Sequence, residues 1–232
     1  CRGEAREYAT LGAHPVPSLP KVQEMNPYGE VSYITDPSGL LLNRDATAGL
    51  SVDFRDGGNF TTSYTDRFER LDRDFTVRTA VVLPAGDYGF HESTVSYKSS
   101  AGRPFSASAS LTTGGYYDGD RTSVGLGALW RPNRHLGFDL FVDRNDITLP
   151  DASFTADVYG GRINWALSTR FFTTAFVQYN AETDEVFSNV RVNFIHAPLS
   201  DIFLVYTERR AAGSGDIIDR LLSFKITQLV GF

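Results

Sequence analysis

Lysine is scarce in this chain. Lys21, Lys98 and Lys225 are the only lysines among 22 basic residues, whereas a soluble β-protein ordinarily coats its outside with Lys and Glu. Cysteine is scarcer still. Cys1 stands alone, so neither an internal disulfide nor a thiolate metal cluster can form. A cysteine in first position resembles the lipidated first residue of a mature bacterial lipoprotein; the plainer account is that the sequence simply begins there. No long apolar run is present. With 22% charged and 41% hydrophobic residues, nothing approaches the ~18 apolar residues of a spanning helix. That excludes a helical membrane protein but not an outer-membrane barrel, whose strands give only alternate residues to lipid. Positive charge is also in deficit. A net charge of −6 argues against a nucleic-acid partner, because phosphate contacts need clustered cations.

Catalytic signatures are missing too. There is no G-x-S-x-G and no H-E-x-x-H. Of His14, His91, His135 and His196, the last two lie beside expected periplasmic turns, and His91, near the external rim with Glu92, stands next to no obvious nucleophile. No catalysis and no cofactor are expected. Asp118 and Asp120 are hard oxygen donors of the kind calcium takes. Two carboxylates flanking Gly119 are more often a solvated turn, so no metal is expected either.

What the chain has in abundance is period-two alternation. The last stretch, DRLLSFKITQLVGF, sets Leu222, Phe224, Ile226, Gln228, Val230 and Phe232 against Ser223, Lys225, Thr227, Leu229 and Gly231. It is long enough to cross a bilayer as a tilted strand. Its final Phe looks like the signal by which the barrel-assembly machinery recognises outer-membrane strands. Phe105 to Thr112 alternates without exception, and Ala46 to Arg55, Ser123 to Arg131 and Leu136 to Asp143 nearly so. Hairpin turns such as Asp56-Gly57-Gly58-Asn59 separate these runs. About twelve strands follow one another with no helical pattern between them. The reading is an all-β, antiparallel up-and-down transmembrane β-barrel over residues 28–232 in the bacterial outer membrane, with both termini periplasmic. Residues 1–27, with Pro15, Pro17, Pro20 and Pro27, show no periodicity and read as a periplasmic tail or plug. Residues 67–85 form a longer connection with room for a short strand of its own.

Three features set the sign of the two faces. The polar register is rich in Ser, Thr, Gly and Asn, which suits a lumen. The connections on the Phe232 side are short and the others mostly longer, including residues 145–153, as in outer-membrane barrels. Aromatic residues of the apolar register stand beside the short turns: Phe54, Phe60, Tyr97, Phe105, Trp130, Trp165, Phe171, Phe194, Phe203 and Phe232. They predict an interfacial girdle against outer-membrane lipid, with Tyr64, Tyr159, Tyr179 and Tyr206 at the opposite interface. The polar register predicts a lumen lined by Asp53, Arg55, Arg131, Asp139, Asp143, Arg162, Asn164, Gln178, Asn189, Arg191, Asn193 and Lys225. These groups read either as a polar pathway whose Arg and Asp set charge preference, or as a paired network filling a narrow barrel; filling is the preferred account.

The segments FERLDRDFTV, LPAGDYGF, YYDGDRTSV, WRPNRHL, ITLPDASF, VQYNAETD, SNVRVNF and PLSDIFLVYTERR resemble, in order and spacing, the C-terminal barrel region of an uncharacterised bacterial family. That family places a carbohydrate-binding, family-nine-like sandwich before its barrel. The resemblance spans about residues 28–232 and implies a membrane barrel linked to glycan handling, without catalytic residues to transfer. The function expected is a non-enzymatic one: a membrane anchor or a narrow channel. The alternatives are a barrel-embedded hydrolase and a structural subunit of a larger envelope assembly with a protein partner.

Overall fold

The computed structural model describes residues 4–78 and 81–229. Phe232, expected in the girdle and as the end of the insertion signal, lies outside the described residues, as do Cys1 and Val230. Among the described residues there is no helix. The strands are β1 (Ala5–Gly12), β2 (Val22–Thr35), β3 (Leu41–Phe54), β4 (Asn59–Leu71), β5 (Phe75–Arg78), β6 (Val81–Leu83), β7 (Gly86–Lys98), β8 (Phe105–Tyr116), β9 (Gly119–Asn133), β10 (Leu136–Leu149), β11 (Ala152–Ala166), β12 (Phe171–Asn180), β13 (Glu185–Ala197), β14 (Ser200–Ala211) and β15 (Ile217–Thr227). Thirteen of them form one up-and-down sheet in chain order, and β5 and β6 pair as a separate hairpin. The twelve strands expected from residue 28 onward are all present, and the long connection does carry strands of its own.

Three features of the structure bear on these expectations. The Pro-rich start is not outside the sheet: β1 pairs with β2 over eight residues, from Ala5 opposite Thr35 to Gly12 opposite Tyr28. Prolines 15, 17 and 20 fall in the connection between these strands. Pro27 sits within β2, where the sequence was expected to be irregular. Second, among the described residues no pairing closes the sheet; β1 and β15 are its edges and are exposed along their whole lengths. Third, the difference in connection length is largely lost. Residues 145–153 were expected to be a loop, yet β10 runs on to Leu149 and meets β11 through residues 150–151. Ile147 and Leu149 continue the alternation and are buried, which draws them into the strand.

Chain alternation defines two ends of the strands. The connections 13–21, 55–58, 99–104, 134–135, 167–170 and 198–199 lie at what we term the girdle end. The connections 36–40, 72–85, 117–118, 150–151, 181–184 and 212–216 lie at the cap end. Local chemistry fixes these turns. The Asp36 carboxylate accepts hydrogen bonds from the backbone N–H of Ser38 (2.8 Å) and Leu40 (2.9 Å), and Gly39 supplies the left-handed φ of +84° that closes the turn.

The chain divides into two compact units, residues 1–100, 109–124 and 145–155 in one and 101–108, 125–144 and 156–232 in the other. The buried apolar cluster of the first is Leu83, Ile147 and Leu149, with Leu71, Val77, Val81, Tyr116, Tyr117 and Phe154 packed against it. It is built where the β5–β6 hairpin lies at the cap end. Gly119 permits the close approach: a Cβ there would stand 2.0 Å from the carbonyl oxygen of Thr148.

Candidate functional site: a two-faced sheet

Partner residues in an antiparallel ladder share a face, so the pairing sorts the chain into two surfaces. In the first unit Val52 faces Phe60, which faces Tyr97, and Leu50 faces Thr62, which faces Val95. In the second, Ile163 faces Ala175, which faces Val190, which faces Tyr206. Trp165 faces Thr173, which faces Val192, which faces Leu204 and then Phe224. This is the apolar register, and it is open to the surroundings: Phe105 and Leu140 are both 58% exposed and Trp130 50%. Contiguous exposed apolar surface of this kind marks a protein–protein or membrane interaction site or a ligand groove.

The girdle residues gather at one end of that face. Phe54 lies 6.3 Å from Tyr97, Trp130 stacks on Phe138 at 5.4 Å, and Phe171 bridges Trp165 at 6.2 Å and Phe194 at 6.5 Å. Phe60 and Phe105 share the face by pairing and alternation. Phe203 does not. It pairs with Asn193 and with Lys225, which places it on the polar face. Both registers of β14 are apolar near its start, Ile202-Leu204 and Phe203-Val205, so alternation alone could not choose. At the cap end the apolar face gives way to tyrosines and ion pairs. Tyr159 donates to Asp157 at 2.9 Å, which lies 3.6 Å from Arg144. Tyr206 donates to Glu208, which also accepts from Arg210 at 2.8 Å. Tyr64 stacks on His91 at 5.7 Å.

The polar face carries most of the expected lining. Asp53, Arg162, Asn164, Gln178, Asn189, Arg191, Asn193 and Lys225 all fall on it by register, and Arg131, Asp139 and Asp143 by alternation with Trp130, Phe138 and Val142. Arg55 departs from this: it lies beyond the end of β3, exposed, with its Nε donating to the carbonyl of Val22 at 3.0 Å. The ion pairs expected among these residues do not form. Asp53 accepts from Asn26 (3.2 Å) and Asn59 (2.8 Å). The guanidiniums of Arg162 and Arg191 lie over the rings of Phe176 and Phe203, at 5.3 and 5.9 Å. Phe176 itself stacks on Phe141 and meets the tilted ring of Phe187 at 6.2 Å. The space for Phe141 comes from Gly160, where a Cβ would meet its ring at 2.2 Å. Strips of aromatic surface therefore interrupt the polar wall of the second unit.

The charge pairs lie instead toward the cap end, where sequence reading did not place them. Glu92, only 5% exposed, accepts from Arg121 and lies 3.5 Å from Arg67, which is itself 3.7 Å from Asp45. These four continue the register of the threonine pairs Thr47–Thr65 and Thr94–Thr112, whose hydroxyls bond across the strands at 2.9 Å. That continuation was the available signal. Above this cluster the first unit's polar face turns aromatic: Tyr117 is flanked by Phe75, Tyr88, Phe90 and Tyr116 at 4.9–6.4 Å. Burial among these rings pushes the Tyr117 hydroxyl upward in pKa, and the nearby Glu69 carboxylate acts in the same direction. Gly114 and Tyr117 both hold positive φ here.

No family model, no curated protein and no solved structure matches this chain.

Proposed function

We propose that this chain is an outer-membrane β-barrel component, a non-enzymatic membrane anchor or narrow channel, with lipid against its apolar face. The observation that carries the reading is the exposed apolar register with aromatic rings at one end and tyrosines with ion pairs at the other. An aqueous surface gains nothing from that order, whereas a bilayer rewards it at each depth. Along β12 the stretch from Phe171 to Tyr179 covers about 27 Å at 3.4 Å per residue. Tilted by ~40°, it spans about 21 Å along the membrane normal, most of the ~25 Å apolar band of such barrels. Leu222, Phe224 and Ile226 bring β15 into the same band, as a strand presented to the assembly machinery would. By its resemblance alone, the anchor belongs to glycan handling at the bacterial envelope.

A second reading, a subunit of a larger envelope assembly, draws on the two edges. In a sheet of thirteen alternating strands the first and last run the same way. Pairing β1 with β15 directly would be parallel, so an all-antiparallel closure takes one further strand.

The test uses the two tryptophans of the chain. Trp130 and Trp165 are both half-exposed on the apolar face. Reconstituted in vesicles of phosphatidylcholine brominated along the acyl chains, both single-Trp variants (Trp130→Phe and Trp165→Phe) should lose at least half their fluorescence. An emission unmoved by brominated lipid would place the face in water and end the membrane reading.

A further inference from the structure

At the girdle end of the second unit, a cavity of about 670 Å³ opens between β9, β10, β11 and β12. Arg131, Arg134, Asn164 and Thr174 bring polar groups to its lining, and Phe172 and Trp165 bring ring surface. No carboxylate lines it. The contrast with the cap end carries the argument. There the guanidiniums of Arg44, Arg67, Arg121, Arg144, Arg209 and Arg210 each lie within 4 Å of a carboxylate. In the cavity, neither arginine has a carboxylate partner among the described residues. Arg131 donates to the carbonyl oxygen of Ala101. Arg134 Nε donates to His135 Nε2 at 3.0 Å.

The His135 ring is in turn held in a chosen state. Its Nδ1 lies 2.7 Å from the carbonyl oxygen of Ala166, to which only an N–H can bond. Nδ1 therefore carries the proton and Nε2 is the acceptor that Arg134 needs. Each guanidinium thus spends one or two N–H groups on a neutral partner and keeps the rest of its fork, and its whole positive charge, for something else. Thr174 donates its hydroxyl to Asn164 Oδ1 at 3.1 Å, which turns the Asn164 amide but leaves its N–H2 as a donor; two uncompensated guanidiniums and this amide N–H2 beside ring surface form the chemistry that recognises a phosphate group attached to an uncharged body. The volume exceeds what a lone inorganic ion fills.

We infer that this cavity binds the phosphate group of a small phosphate ester, with Arg131 and Arg134 as the anion ligands and His135 as the residue that positions Arg134. If the apolar face lies in a bilayer as proposed above, the cavity opens at the membrane surface on the girdle side, where the phosphate can come from a soluble solute or from a lipid headgroup.

The full chain, folded in a zwitterionic detergent and checked for strand content by circular dichroism, is titrated with glycerol 3-phosphate and with inorganic phosphate by calorimetry. Saturable binding is expected, weakened at least tenfold in Arg131→Gln/Arg134→Gln and restored in part by Arg131→Lys/Arg134→Lys. Lys225→Gln, which removes a cation from the same face outside the cavity, should leave it unchanged. Competition by phosphatidylglycerol doped into the micelles would identify the headgroup as the source; indifference to it would identify a soluble ester. No saturable binding, or equal loss in Lys225→Gln, overturns the site, since the latter means a diffuse positive field. The readout needs no bilayer, so its failure and a failed lipid-quenching experiment are separable.

Discussion

Glu92 shows how a single side chain depends on its neighbours here. It is nearly sealed from solvent, and its two oxygens are committed to Arg121 and Arg67. Taking one partner away from a desolvated pair costs more than the pair itself contributes, because the remaining charges stay in place without compensation. Glu92→Gln keeps the shape and removes the charge. It should lower stability by about 3 kcal/mol, read as a fall in the urea midpoint of the folded chain in detergent; an unshifted midpoint would mean that water already screens the cluster. Val192 is the corresponding residue on the other face. It lies mid-strand, opposite Thr173 and Leu204. Val192→Arg should cost about 2–4 kcal/mol in a bilayer and lower the vesicle-inserted fraction, while Ser108→Arg, exposed and on the polar register, should insert as the parent does. Equal insertion of both variants would mean that the apolar face does not meet lipid.

At the scale of elements, the β5–β6 hairpin and the β1 strand exchange the roles their sequences suggested. The Pro-rich start reads as a plug and is a strand. The 72–85 connection reads as an external loop and instead supplies Leu83, Val77 and Val81 to the only sizeable buried apolar cluster among the described residues. Ile147, Leu149 and Leu71 belong to the polar register lower down their strands, so this cluster covers the cap end of that face within the first unit. Two outcomes follow for planar bilayers. The intact chain should conduct poorly, and replacing residues 72–85 by a short Gly-Ser linker should raise single-channel conductance severalfold. Large steady currents from the intact chain would show that the cap obstructs nothing. Deleting residues 1–27 should not mimic the linker variant. It removes β1 and the start of β2, so the expected result is loss of the compact species on unheated gels rather than a wider pore.

For the whole molecule the decisive quantity is sidedness. If the cap end faces the medium, a cysteine at Ser214 should react with a membrane-impermeant maleimide on intact Gram-negative cells in a Cys1→Ser background. One at Ser168, in a girdle-end turn, should react only after the outer membrane is permeabilised. The reverse pattern would invert the orientation and leave the two-faced sheet as it is. Labelling of both positions on intact cells would mean that the chain does not separate two compartments at all.

Alternation is a local property. Successive Cβ atoms point to opposite sides of any strand whatever it pairs with, so the sequence alone determined the all-β class, the twelve strands after residue 28 and the membership of both faces at nearly every position. It could do so because residues such as Phe105 to Thr112 have one apolar and one polar register. Where both registers are apolar, as in β14, the sequence is silent, and only the ladder to Asn193 and Lys225 put Phe203 on the polar side. Partner choice is non-local. Which cations meet carboxylates, whether residues 5–12 find an edge to join, and where the 72–85 hairpin comes to rest depend on groups tens of residues away. For that reason the tertiary structure decided that Glu92 is paired with arginines, while Arg131 and Arg134 have no carboxylate partner among the described residues.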